Sequence, residues 1–142
     1  MNVRDLLCVA CGGAIGAVAR HLGSLAWTAM LGDRFPWGTL FVNVLGCFLL
    51  GWLTRSALVS DSISETTKLL LGTGFLGAFT TFSTFGVQTV QLWSRSPLAA
   101  AGNISANLFV GIAAVLAGMH FCLLYTSPSP RDLSTSRMPS SA

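Results

Sequence analysis

The stretch Gly72 to Gln88 reads GTGFLGAFTTFSTFGVQ. It sets four hydroxyls, Thr80, Thr81, Ser83 and Thr84, around Phe82 and Phe85. Elsewhere, Thr39 and Asn43 stand four apart, as do Asn103 and Asn107, each pair in apolar surroundings. On helices, that spacing puts the members of a pair on one face. Every one of these side chains can donate a hydrogen bond, and none is acidic. Buried donors need a partner: a neighbouring helix, water or a permeating ion. A donor wall without carboxylates favours an anion. The phenylalanines sharpen that choice, because an aromatic ring has a negative face and a positive edge. Rings presented edge-on can coordinate a small anion while hydroxyls and amides supply the other donors. Residue types do not go from "anion" to a particular one. A plainer account also stands, in which the glycines pack helices and Asn43 bonds across to a neighbour.

Arg20 is the one formal charge within an apolar run. An intramembrane arginine is costly, so a functional or strongly structural role is the default, with snorkelling to the nearby interface as the alternative. Cys8 and Cys11 have CxxC spacing, but neither a second pair nor nearby histidines complete a zinc set. They read as buried small apolar residues. His21 and His120 have no carboxylate close in sequence. With no nucleophile–base pair or metal set in view, an enzyme is the poorest reading. Proton-coupled exporters normally need an intramembrane carboxylate, and no span carries one.

The elements that must position these groups are transmembrane helices. Of the 142 residues, 52 % are hydrophobic and only 9 % charged, against about 25 % charged in ordinary soluble domains. Uncharged runs extend over Leu6 to Leu31 (interrupted by Arg20), Trp37 to Thr54, Leu69 to Trp93, and Pro97 to about Leu124. Each approaches the roughly 20 residues that a bilayer demands. The expected fold is an all-α membrane protein with spans near 4–31, 37–57, 66–94 and 97–121. The first span is too long for a cleaved signal peptide, and three more follow it. Gly12 and Gly16 have the spacing that lets helix backbones approach closely. Trp37 suits interface depth, and Ser64 suits a helix start. Three glycines followed by clustered hydroxyls make the middle of the third span poor helix, so an interruption in mid-membrane is expected there. Interrupted spans expose carbonyls and amides that hold ions.

The net charge of +3 is scattered over loops and gives no footprint for nucleic acid. Arg4, Arg55 and Lys68 fall on the amino-terminal side. Arg34 and Arg95 fall on the other, with Arg20 nearer that end. The positive-inside rule has almost no bias to act on, so insertion both ways up is expected. From Cys122 to Ala142 the chain turns rich in Ser, Pro and Thr without periodicity, and it reads as a disordered, non-native tail. The phrase CLLYTSPSPRD looks like translated adapter sequence.

Three stretches, Gly12 to His21 (GGAIGAVARH), Gly38 to Gly51 (GTLFVNVLGCFLLG) and Gly74 to Phe85 (GFLGAFTTFSTF), resemble the CrcB/Fluc family of fluoride channels. They do so in order and at the right spacing, over about residues 4 to 121. The resemblance implies four-helix subunits paired antiparallel as a dual-topology homodimer in the inner (plasma) membrane. Two pores would pass fluoride out of the cytoplasm down its electrochemical gradient and so reduce its toxicity. It implies that Phe82 and Phe85 line the path edge-on, with Asn43 as the pore asparagine. Thr39, Thr81 and Ser83 fall in or beside the polar motif. Gly77 and Thr80 match positions whose backbone carbonyls, doubled by the partner, hold a central structural sodium ion. Arg20 and Gln88 match vestibule positions. The expected partners are fluoride, a second copy and the bilayer, with no nucleic acid. Many members carry glutamate where Gln88 stands, tyrosine and serine where Asn103 and Asn107 stand, and tyrosine where His21 stands. Both asparagines can still donate, so a pore-lining role is expected of them. The rivals are a proton-coupled fluoride antiporter, a small four-helix exporter, and a scaffold that transports nothing.

Overall fold

A chain this apolar, placed in lipid, must satisfy its backbone internally, and helices do that within each segment. The computed structural model describes residues 2–59 and 63–125. Helix α1 covers Val3–Leu31 and α2 covers Trp37–Val59. The third span, Glu65–Arg95, is composite: α3 (Glu65–Thr67), a π-helical stretch (Lys68–Leu76), α4 (Gly77–Phe79) and α5 (Phe82–Arg95). The fourth joins α6 (Pro97–Ser105), a second π-helical stretch (Ala106–Val110) and α7 (Gly111–Tyr125). Among the described residues, four helical spans are long and apolar enough to cross a membrane.

Local chemistry fixes the span ends. Gly32, at φ 82°, ends α1 in a conformation that a side chain would strain. The hydroxyl of Ser64 accepts from the Thr67 amide at 3.1 Å and so caps the third span. Ser96 alone separates α5 from α6: its hydroxyl accepts from the Ala99 amide at 3.3 Å, and Pro97 opens the next helix. Such short links make consecutive spans antiparallel.

Glycines decide which spans meet. Lipid tails are as apolar as leucine, so helices associate in a membrane through close packing rather than through hydrophobic exclusion. A Cβ on Gly12 would fall on the Leu70 carbonyl oxygen, and one on Gly16 would fall on that of Phe75. Gly74 answers from the other side, where a Cβ would lie 2.9 Å from the Val9 oxygen. These contacts fasten α1 to the π-helical start of the third span. A Cβ on Gly51 would strike the Val115 oxygen and one on Gly118 the Phe48 oxygen, which fastens α2 to α7. Val42, Ala100 and Cys122 are buried between the spans, while Ile15, Val18, Leu22, Leu108 and Leu116 face outward. Helix α5 packs chiefly on α6 and only lightly on α2, so it stands at the edge of the subunit.

The sequence-based boundary at residue 121 needs correction. The helix runs on to Tyr125 because Cys122, Leu123 and Leu124 continue the apolar run, and the Cys122 side chain is buried with Sγ 3.2 Å from Ser56 Oγ. The rest of the expected tail lies outside the described residues.

Candidate functional site

Between α4 and α5 the backbone leaves the helical region. Thr80 has φ −85°, ψ 157° and Thr81 has φ −150°, ψ 112°. Two backbone groups of Thr81 thereby lose helical partners, and one side chain replaces both. The Thr81 amide donates to Asn43 Oδ1 at 2.8 Å, and the Thr81 carbonyl accepts from Asn43 Nδ2 at 3.3 Å. Gly46, one turn after Asn43, admits the close approach, since a Cβ there would overlap Thr80 Cγ2. Thr81 also caps α5. Its Oγ1 accepts from the Thr84 amide at 3.3 Å, donates to Thr84 Oγ1 at 3.0 Å, and lies 3.4 Å from Ser83 Oγ.

This break leaves the carbonyls of residues 77–80 without their helical amide partners, Gly77 and Thr80 among them. In an unbroken helix, Gly77 O would accept from the amide of Thr81, and Thr80 O from that of Thr84. Those amides are turned to Asn43 and to the Thr81 hydroxyl instead. Gly77 is exposed and Thr80 half-buried. Unclaimed carbonyl oxygens are hard ligands suited to a hard cation. Among the described residues no cluster of His, Cys, Asp or Glu offers another metal set.

From Asn43 the hydrogen bonds run on through the fourth span. Asn43 Nδ2 donates to Asn107 Oδ1 at 2.9 Å. Asn107 Nδ2 donates to both the backbone oxygen and Oδ1 of Asn103, each at 3.0 Å. Asn103 Nδ2 donates to Thr89 Oγ1 at 2.8 Å, and Thr89 Oγ1 donates to the Phe85 carbonyl at 2.8 Å. The seam therefore joins α2, the third span and the fourth span through amides and hydroxyls alone. Both donor bonds of Asn43 are in use within the subunit, as the plainer account of that residue has it.

Phe82 and Phe85 lie beside the seam with centroids 5.5 Å apart and planes tilted by 50°. Phe82 is 83 % exposed, and Ser83 and Thr84 are exposed next to it. Thr39 is buried but takes no part in the seam. Arg20 is half-buried on α1 and makes no hydrogen bond or ion pair among the described residues. Gln88 lines a cavity of about 170 Å³ with Thr28, Asp33, Arg34, Gln91 and Arg95. Arg20 is not among the residues lining it. Sequence reasoning missed Thr89. Its signal is slight: a hydroxyl one turn after Phe85, free to bond back to that carbonyl.

Four apolar spans, with a seam free of carboxylates where the third span leaves the helix, define a small multi-pass membrane protein. The chain belongs to the CrcB-like family, also described as camphor resistance (CrcB), whose model matches residues 7–119. It is similar to the fluoride-specific ion channel FluC of Idiomarina loihiensis, with 50 % identity over 121 residues, 84 % of this chain and 91 % of that protein. The fluoride-specific ion channel FluC of Dehalococcoides mccartyi is 44 % identical over 117 residues, 82 % of this chain and 90 % of its own. That of Methanopyrus kandleri is 44 % identical over 119 residues, 84 % and 89 %.

Proposed function

We propose that this chain is a subunit of a fluoride-selective channel that lets fluoride leave the cytoplasm down its electrochemical gradient. The observation that carries the reading is the Phe82–Phe85 pair set against the Thr81, Ser83 and Thr84 hydroxyls in a seam without carboxylates. The relatives' names supply the identity of the anion. Phe82 and Phe85 offer ring edges and Ser83 an O–H donor, while Thr81 and Asn43 would reach the anion by exchanging the bonds they now give to Thr84 and Asn107. Asn103 and Asn107 back Asn43, Thr39 flanks it one turn earlier, and Arg20 and Gln88 serve the vestibule.

The active unit is an antiparallel homodimer. An exposed aromatic-and-hydroxyl face on α5 supports this, because bare hydroxyls against lipid are unfavourable. Two pores would run along the interface, with the third span interrupted near mid-membrane. The freed carbonyls of Gly77 and Thr80, met by the same pair from the second copy, would hold a structural sodium ion.

The test is fluoride release from potassium-loaded vesicles containing the full chain, read by a fluoride electrode after valinomycin, with chloride run alongside. Fast, electrogenic fluoride release without chloride release is expected. Absence of release from well-folded protein, or release that needs a proton gradient, would overturn the reading.

A further inference from the structure

A groove of about 480 Å³ opens where the end of α2 meets the π-helical start of the third span. The two spans follow each other in the chain, so these ends lie at one face of the membrane. Leu50, Leu53, Thr54, Lys68 and Thr73 are among the residues that line the groove. Counted from the span ends at Val59 and Glu65, Lys68 lies nearest the face, Thr54 and Thr73 lie deeper, and Leu50 lies deepest. A helical rise places Lys68 about 5 Å and Thr54 about 8 Å from those ends, the depth at which headgroups give way to hydrocarbon. The polar side chains of the groove are all donors. Thr54 and Thr73 are exposed, and their hydroxyls make no hydrogen bond among the described residues. Thr80 and Thr89, by contrast, give their protons to the carbonyl one turn back. The Lys68 ammonium gives one bond to Glu65 at 2.6 Å, which leaves protons for another acceptor. Glu65 is 82 % exposed, so that pair is weak and does not lock the ammonium away.

We propose that this groove holds one anionic glycerophospholipid of the surrounding bilayer. The phosphate takes the Lys68 ammonium, the ester oxygens take the Thr54 and Thr73 hydroxyls, and an acyl chain runs inward beside Leu50 and Leu53. Phosphodiester and ester oxygens only accept, which is what a set of donors requires, and bare hydroxyls against hydrocarbon are unfavourable. The lysine supplies the charge complement, and one such charge near the membrane face favours an anionic lipid over a zwitterionic one by about five-fold. Free phosphate would satisfy the lysine but leave the leucine walls uncovered. A second copy fits less well, because the face offered for pairing is on α5, and no α5 residue lines the groove. The site needs only the membrane and is independent of what the pore carries.

The test adds phosphatidylglycerol or phosphatidylcholine to the full-length protein in a neutral detergent and counts retained lipid by native mass spectrometry. Phosphatidylglycerol should be retained about five-fold more than phosphatidylcholine. Lys68→Gln should remove that preference, and Lys68→Arg should keep it. Thr54→Val combined with Thr73→Val should lower retention of both lipids about three-fold or more. Arg4→Gln, which removes a cation outside the groove, should change neither lipid. Equal retention of the two lipids by the parent, a preference that survives Lys68→Gln, or an equal loss in Arg4→Gln would each overturn the proposal. Displacement of phosphatidylglycerol by excess inorganic phosphate would make the groove a site for the free anion, and that overturns it as well. A threonine double variant that keeps its lipid but loses its partner subunit would assign the groove to a second copy instead. If Lys68→Gln does not fold, Lys68→Met is read in its place. Failure of both while Lys68→Arg folds would make the charge structural, and the proposal falls.

Discussion

Phe82 and Asn43 differ in what they do for the subunit, so substitutions at the two should separate transport from stability. Phe82 is 83 % exposed, and Phe82→Ile should change subunit stability by no more than about 0.5 kcal/mol, as surface changes usually do. Fluoride release should nonetheless fall at least about ten-fold, since isoleucine has no ring edge to offer the anion. Asn43→Ala should behave differently. It strands the amide and carbonyl of Thr81 away from water, at roughly 2–4 kcal/mol for the two groups together. Thermal unfolding in detergent beside vesicle flux reads both outcomes. If Phe82→Ile kept full flux, the aromatic edge would be irrelevant. The asparagines are legible in the sequence as buried amides that need partners, because little else in those spans is polar. That they bond one another is not legible. It depends on the distance between α2 and α7, which Gly51 and Gly118 set from positions far along the chain.

Among elements, the glycine contacts outweigh propensity. Gly118→Val would drive a branched side chain into the Phe48 carbonyl and the Trp52 amide, so the α2–α7 pair must separate. The expected loss is about 3 kcal/mol or more, at the upper end for overpacking, seen as aggregation on size exclusion. Gly102 has open space where a side-chain methyl would stand, with no atom within 4 Å. Gly102→Ala should therefore leave stability unchanged or raise it by about 0.5–1 kcal/mol. Four spans are readable from uncharged runs because a bilayer enforces their length. The cap at Ser64 is readable from local chemistry. The π-helical turns at Lys68–Leu76 and Ala106–Val110 are not, since wide turns answer to packing against neighbours and leave no local signature. The end of the fourth span is legible in the apolar run to about Leu124, and a boundary at 121 falls short because it starts the tail at Cys122, ahead of the Ser- and Pro-rich stretch.

Within residues 4–121, the even spread of Arg4, Arg55 and Lys68 against Arg34 and Arg95 predicts no preferred orientation. A reporter on the carboxyl terminus should be found on both sides of the membrane in similar amounts, and a single orientation would count against the antiparallel pair. Replacing sodium by a large organic cation should weaken the dimer or silence it, because the Gly77 and Thr80 carbonyls would lose the ion proposed to join them. Neither the pairing nor the ion can be read from one chain's residues without the family resemblance, since both belong to an interface. The seam has a consequence for how such a pair comes together. Asn43, Thr81, Thr89, Asn103 and Asn107 satisfy one another within a single chain, before any partner arrives. A lone subunit is then a viable resident of the bilayer, and assembly becomes a late encounter between finished pieces rather than a step in folding. Diluting the protein in lipid should yield folded monomers that pair again on reconcentration, with the Ser83 and Thr84 hydroxyls and the Gly77 and Thr80 carbonyls among the groups left for a partner.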